Sequence, residues 1–335
     1  MKLSLISIVK PWLASACVFS ALSISLVGLI RASSWSSDVL PDYKLNAERA
    51  AQNPTPAASP TPPPSDIFLV DVSTEKGELR FGKPVRITEW AGYNNQPFFF
   101  PDGSTLLYTS IRADKQADVY RYDLKGHTTS RITDTPESEF SPTLTPDGAF
   151  ISVVRVEADS TQRLWKFPLA GGKPALVLEK IKPVGYHTWI DAHTLALFVL
   201  GKPNTLQIVD ARTERTEVIA ENIGRTTRRI PQQNKLSFVH KVSEQEWIIK
   251  TFDLGTRQVA TLIKTLPGSE EYAWTPSGVL LAAKNAKLFV WHPAVDKDWR
   301  EVADFAAAGL QGITRIAITN DGRRIALVAT CNAGC

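Results

Sequence analysis

Side chains able to do chemistry are sparse in this chain, and their spacing suits catalysis poorly. The five histidines are His127, His187, His193, His240 and His292, and none forms the helical His-Glu-x-x-His set that holds zinc. No Gly-x-Ser-x-Gly elbow presents a serine nucleophile. Gly171-Gly172-Lys173 lacks the spacing and the following hydroxyl residue of a phosphate-cradling loop. A carboxylate pair for acid–base work would have to use residues such as Glu139 and Glu271, which the sequence alone does not bring within reach of each other. A three-histidine metal site would need segments to converge on an axis. The expectation is a chain with no catalytic residue, no metal and no cofactor.

Polar and aromatic residues cluster instead in segments suited to recognition. Trp90, Tyr93, Asn94 and Asn95 form one group, and Glu137 with Glu139 another. His187 lies in a third segment. Arg225, Arg228 and Arg229 are basic, Glu270 and Glu271 acidic, and Arg315 stands in a sixth segment. Two readings stand. One is a solvated rim of charges. The other is a mixed-charge funnel with aromatic flanks for a protein or peptide, because aromatics and arginine dominate binding hot spots.

These segments recur because the chain repeats. Pro97 to Tyr108 reads as an apolar stretch, Pro101-Asp102-Gly103, then a second apolar run. Pro142 to Ile151 repeats it around Pro146-Asp147-Gly148, and weaker copies follow near Asp191, Gln232 and Ser277, then Asp321-Gly322. Markers at 102, 147, 191, 232, 277 and 321 are spaced by 45, 44, 41, 45 and 44 residues. Asp tolerates turn geometry and Gly accepts positive φ, so Asp102, Gly103, Asp147, Gly148, Asp321 and Gly322 are expected to hold tight turns. Each period carries four strand signals, such as Leu106 to Thr109, Asp118 to Asp123 and Thr129 to Thr133. No long helical period intervenes. Four antiparallel strands per period is the pattern of a propeller blade.

The ends of the repeat region complete one another. The last repeat supplies only Gly312 to Ile318 and Arg323 to Thr330, and two unmatched strands, Ile67 to Val72 and Lys83 to Thr88, precede the first repeat. Joined, they make a sixth blade and hide strand edges. The expected fold is all-β: a six-bladed propeller of four-stranded blades over residues 66–335, closed by terminal strands sharing a blade.

The repeats resemble the WD40-like repeats of the TolB family, in which a proline and Ser-Pro-Asp-Gly precede an apolar strand. The resemblance covers residues 66–330 and is strongest at Pro101-Asp102-Gly103 and Pro146-Asp147-Gly148. It implies a six-bladed propeller, usually extracytoplasmic in bacteria, that binds proteins or other ligands without chemistry of its own. No α/β domain precedes the repeats as it does in TolB, so TolB's own partner is not implied. Related propellers precede prolyl-oligopeptidase-type hydrolases, and no hydrolase domain is expected after the sixth repeat.

The segment ahead of the repeats reads as an export signal or anchor. Trp12 to Ile30 carries no charge over 19 residues, between Lys10 and Arg31. That is enough to cross a bilayer as a helix. Residues 1–31 are thus a membrane anchor, a signal peptide cleaved near Ala32-Ser33-Ser34, or a lipidation signal at Cys17. Residues 32–65 form a proline-rich linker, with six prolines among the eleven residues from Pro54 to Pro64. Cys331 and Cys335, separated by Asn332-Ala333-Gly334, are compatible with a small disulfide in an exported domain. The formal charge is +4, of which Lys2, Lys10 and Arg31 contribute three, so no general attraction to nucleic acid is expected. The reading is a non-catalytic, extracytoplasmic binder of a protein or peptide in the cell envelope, probed against a propeller enzyme or small-molecule binder with its site in the channel.

Overall fold

The computed structural model describes residues 62–331. The expected N-terminal apolar segment, nearly all of the linker and Cys335 lie outside them. No helix among the described residues is long and apolar enough to cross a membrane.

The second strand of each blade explains the architecture. Thr105–Ile111, Phe150–Val156, Thr194–Val199, Lys235–Lys241, Leu280–Lys284 and Arg324–Cys331 are near-continuous buried runs rather than alternating ones. A strand reads that way only when both of its faces are covered. Here each face packs on a neighbouring blade. Within Arg324–Cys331, Leu327 points into one apolar cluster with Leu281 and Leu288, while Val328 points into another with Leu106 and Tyr108. Among the described residues, one such cluster fills each of the six gaps between blades. Burying one Leu or Val there contributes about 1.5–3 kcal/mol. The outermost strands, such as Thr128–Arg131, face water along their length.

All six sheets are antiparallel. The innermost strands are Tyr93–Phe99, Ser138–Leu144, Val184–Trp189, Ile223–Arg229, Tyr272–Trp274 and Leu310–Ile318 in blades one to six. Each touches the innermost strand of the next blade, and the sixth touches the first, so the ring is closed. Closure comes from Asp66–Glu75 pairing with Arg324–Cys331, with Ile67 opposite Val328 and Leu69 opposite Ala326.

The outer strand of this shared blade differs from the expected Lys83 to Thr88. It is split into Glu78–Phe81, paired with Val72 to Glu75, and Val85–Arg86, paired with Phe68 and Leu69. Pro84 has no N–H to donate and interrupts the ladder. The Gly82 amide donates to the Asp71 carbonyl at the break.

The Pro-Asp-Gly copies form turns. Asp102, Asp147 and Asp321 each accept the amide two residues on, at 3.0 Å. Gly103, Gly148 and Gly322 sit at φ of 70°, 69° and 71°, where a Cβ would be strained. Hydrogen bonds to the charged form, led by the Ser104 amide at Asp102 and by the Thr145 and Thr319 hydroxyls at Asp147 and Asp321, hold all three carboxyls below the usual aspartate range. All three turns lie on the ring face where the innermost strands end.

Candidate functional site: an arginine-floored channel

Five of the six innermost strands carry a register irregularity. It falls between Asn95 and Phe98, Phe140 and Thr143, Val184 and Tyr186, Ile223 and Thr227, and Gln311 and Arg315. A bulge bends its strand and re-aims side chains. Here the bulged segments surround the axis and border a cavity of about 1040 Å³. Its outer lining includes Pro101, Pro146, Gln232 and Asn320, so it opens at the face of the Pro-Asp-Gly turns. The loops that lead into the innermost strands, which hold expected recognition residues such as Trp90, Glu137 and Glu270, lie at the opposite end of those strands.

The deep end of the cavity is a layer of charged side chains drawn from distant parts of the sequence. Arg315 of blade six donates from Nη2 to the Tyr186 hydroxyl of blade three at 2.8 Å, across the axis between opposed blades. Glu271 Oε2 lies 3.8 Å from Arg315 Nη1. Glu271 accepts from Arg228 Nη2 and from the Thr226 hydroxyl, each at 2.8 Å. Glu270 pairs with Arg225 at 3.2 Å and Lys241 at 3.1 Å. It also accepts the Arg225 amide at 3.1 Å. Gly224 makes that approach possible, because a Cβ there would collide with the Glu270 carboxylate. The Arg229 guanidinium donates to the Ile190 carbonyl. Burial pushes the Tyr93 hydroxyl up to about 12, although nearby Arg315 and Arg225 oppose the shift.

Two matching latches brace the channel wall. Trp189 Nε1 donates to Ser152 Oγ of the preceding blade at 2.9 Å. Trp274 Nε1 does the same to Ser237 Oγ at 2.8 Å, and the Tyr272 hydroxyl donates to that oxygen at 2.9 Å. His187 occupies the position equivalent to Tyr272. Its Nε2 lies 2.8 Å from Ser152 Oγ and also contacts the Thr143 hydroxyl. Burial drives the His187 pKa down to about 3, so the ring is neutral at physiological pH.

A TolB of Agrobacterium tumefaciens superposes with a TM-score of 0.60 at 15% identity, covering 80% of this chain and 98% of that one. TolB of Acinetobacter baumannii gives 0.51 at 14% identity, over 79% of this chain, which spans 64% of that chain's length. A chain of the nidogen/laminin complex gives 0.52 at 10% identity, covering 79% of this chain and 98% of that one. The fold is that of a TolB-like six-bladed β-propeller. No family model matches the sequence, and no curated protein matches it.

The TolB-like propeller gathers some of the expected recognition residues and separates others. Arg228 hydrogen-bonds Glu271, Arg315 stands 3.8 Å from the same carboxylate, Glu270 is beside Arg225, and His187 and Arg229 line the same cavity. Most of these residues belong to strands rather than to a solvated rim, and His187, Glu271 and Arg315 are buried. Asn94 is buried and used up structurally: its amide donates to Ser65 and Trp90 carbonyls, and its oxygen accepts from Ser110. Asn95 accepts the Gln96 amide. Trp90 is exposed away from the cavity, with the Arg112 guanidinium 5.8 Å from its ring.

Glu139 belongs to a separate buried cluster. It accepts from the Thr135 hydroxyl at 2.6 Å and lies 3.3 Å from Arg155 Nε, while Arg155 also holds Glu137. Glu139 Oε2 is buried without a hydrogen-bond partner. Burial raises its pKa to about 7 despite the nearby hydroxyls and Arg155. Glu139 and Glu271 therefore serve different sites. No group of three or more His, Cys, Asp or Glu suited to a metal occurs among the described residues. Cys331 is disulfide-bonded, whereas its expected partner Cys335 lies outside the described residues.

Tyr186, Trp189 and Trp274 were not singled out from sequence as site residues. Trp189 and Trp274 did carry a signal, since both stand just ahead of a repeat turn.

Proposed function

We propose that this TolB-like propeller is a non-catalytic binding module that receives a protein or peptide segment in its central cavity, on the outer side of a cytoplasmic membrane. The cavity carries the reading. Aromatic side chains and guanidinium groups, the commonest interface anchors, line one concavity framed by all six blades. At about 1040 Å³ it reaches the upper end of the range for ligand pockets. The Trp12 to Ile30 segment and the TolB-like fold support export. Residues 1–31 act as signal or anchor, 32–65 as tether, and Cys331 with Cys335 as a terminal clip.

Capture from envelope extracts with the immobilised full chain tests this. The expected result is a specific partner, retained by Trp90→Ala and lost from Arg228→Ala. A partner lost only with Trp90→Ala would move binding to the opposite face and overturn the assignment.

A further inference from the structure

The deep end of the cavity differs chemically from its walls. Arg225, Arg228 and Arg315 line it with Glu271 as the carboxylate among them, an excess of positive charge, while Glu270, which holds Arg225 and Lys241, is not part of the lining. Asp147 and Asp191 also line the cavity, but each accepts amides within its own turn near the mouth. Arg315 is the buried cation of this layer. It is 9% exposed, hydrogen-bonds the Tyr186 hydroxyl rather than a carboxylate, and reaches Glu271 only at ion-pair distance. A buried guanidinium short of a hydrogen-bonded anion is costly, and a planar carboxylate meets its fork of donors best.

The shape of the cavity restricts which carboxylate can arrive. The Arg315–Tyr186 contact spans the axis, and the lining ends with that layer. Tyr93, Asn94 and Asn95, beyond it, contribute nothing to the cavity. An extended chain entering from the turn face cannot continue past this floor. A side-chain carboxylate would leave two strands of backbone to accommodate. A chain end needs only one.

We propose that the floor reads the terminal carboxylate of a peptide, with Arg315 as its principal donor and Trp189 and Trp274 flanking the preceding residues. The inference rests on the channel reading above and adds the ligand's polarity and direction: carboxyl end first, through the turn face.

Two degenerate octapeptide pools, both N-acetylated, test it with the purified full chain. One pool ends in a free carboxylate and the other in an amide. The expected result is capture of the free-acid pool in preference by about tenfold, the order of a charge-assisted hydrogen bond. Arg315→Lys keeps the charge but loses the fork, and should cut that preference several-fold while far-ultraviolet circular dichroism stays unchanged. If Arg315→Lys fails to fold, Trp189→Phe provides the check: it should weaken capture of the free-acid pool. Equal capture of both pools overturns the carboxylate inference and leaves the channel reading standing. Enrichment of Asp or Glu within both pools does the same, assigning the guanidinium to side chains. Capture of neither pool overturns both.

Discussion

Replacing Ser237 by Ala should destabilise the propeller well beyond the loss of one hydroxyl. Ser237 is fully buried on the second strand of blade four and accepts from two donors of blade five. Tyr272 and Trp274 are buried as well, so neither donor can turn to water. An orphaned buried donor costs about 1–3 kcal/mol. Removing the desolvated Ser237 hydroxyl returns part of that, so the net loss expected is about 2–4 kcal/mol. Urea unfolding followed by tryptophan fluorescence measures it. Tyr272→Phe separates the latch from simple packing, because it removes one orphan before it is made. In the Ser237→Ala background Tyr272→Phe should cost about 1 kcal/mol less than in wild type. Loss below about 0.5 kcal/mol, with the two substitutions additive, would refute the latch.

Other outcomes follow from the same contacts. Glu139 has a folded pKa near 7 against an ordinary 4.5, so the folded state holds its proton more tightly than the unfolded one. Stability should fall by about 3 kcal/mol as pH rises from 4.5 through 7, and Glu139→Gln should flatten that dependence in urea titrations. Gly185→Ala would place a Cβ 2.7 Å from the Phe198 ring. It should cost about 1–3 kcal/mol by overpacking, read as a lower thermal midpoint. Leu327→Ala opens a cavity between blades five and six beside the closing strand. A loss of about 2–5 kcal/mol is expected in the same assay.

The ring was legible in the sequence because its determinants are local. The apolar runs after Asp102 and Asp147 are second strands covered on both faces, and the turn chemistry spaces them evenly. The shared blade followed from counting strands at the two ends. The floor of the cavity was not legible. Arg315 and Tyr186 stand 129 residues apart and meet only because blades six and three oppose each other. Nothing in the sequence separates a rim charge from a funnel residue at Glu271, which is buried by three donors or cations from two other blades. Strand bulges set these directions, and alternation of side chains does not reveal them. Gly185, Gly224 and Gly312 were the available hint, since an isolated glycine inside a strand marks a bulge or a close approach. Pro84 was a similar hint that the outer strand of the shared blade breaks.

Site-specific photo-crosslinking in cells tests the central claim most directly. A photoreactive residue replaces Gln233 at the cavity mouth, Trp90 away from the cavity, or Val259 on an outer strand. Covalent adducts with one partner from position 233, and none from 90 or 259, are the expected result. Adducts from 259 without any from 233 would make the blade sides the binding surface and contradict the assignment of the channel.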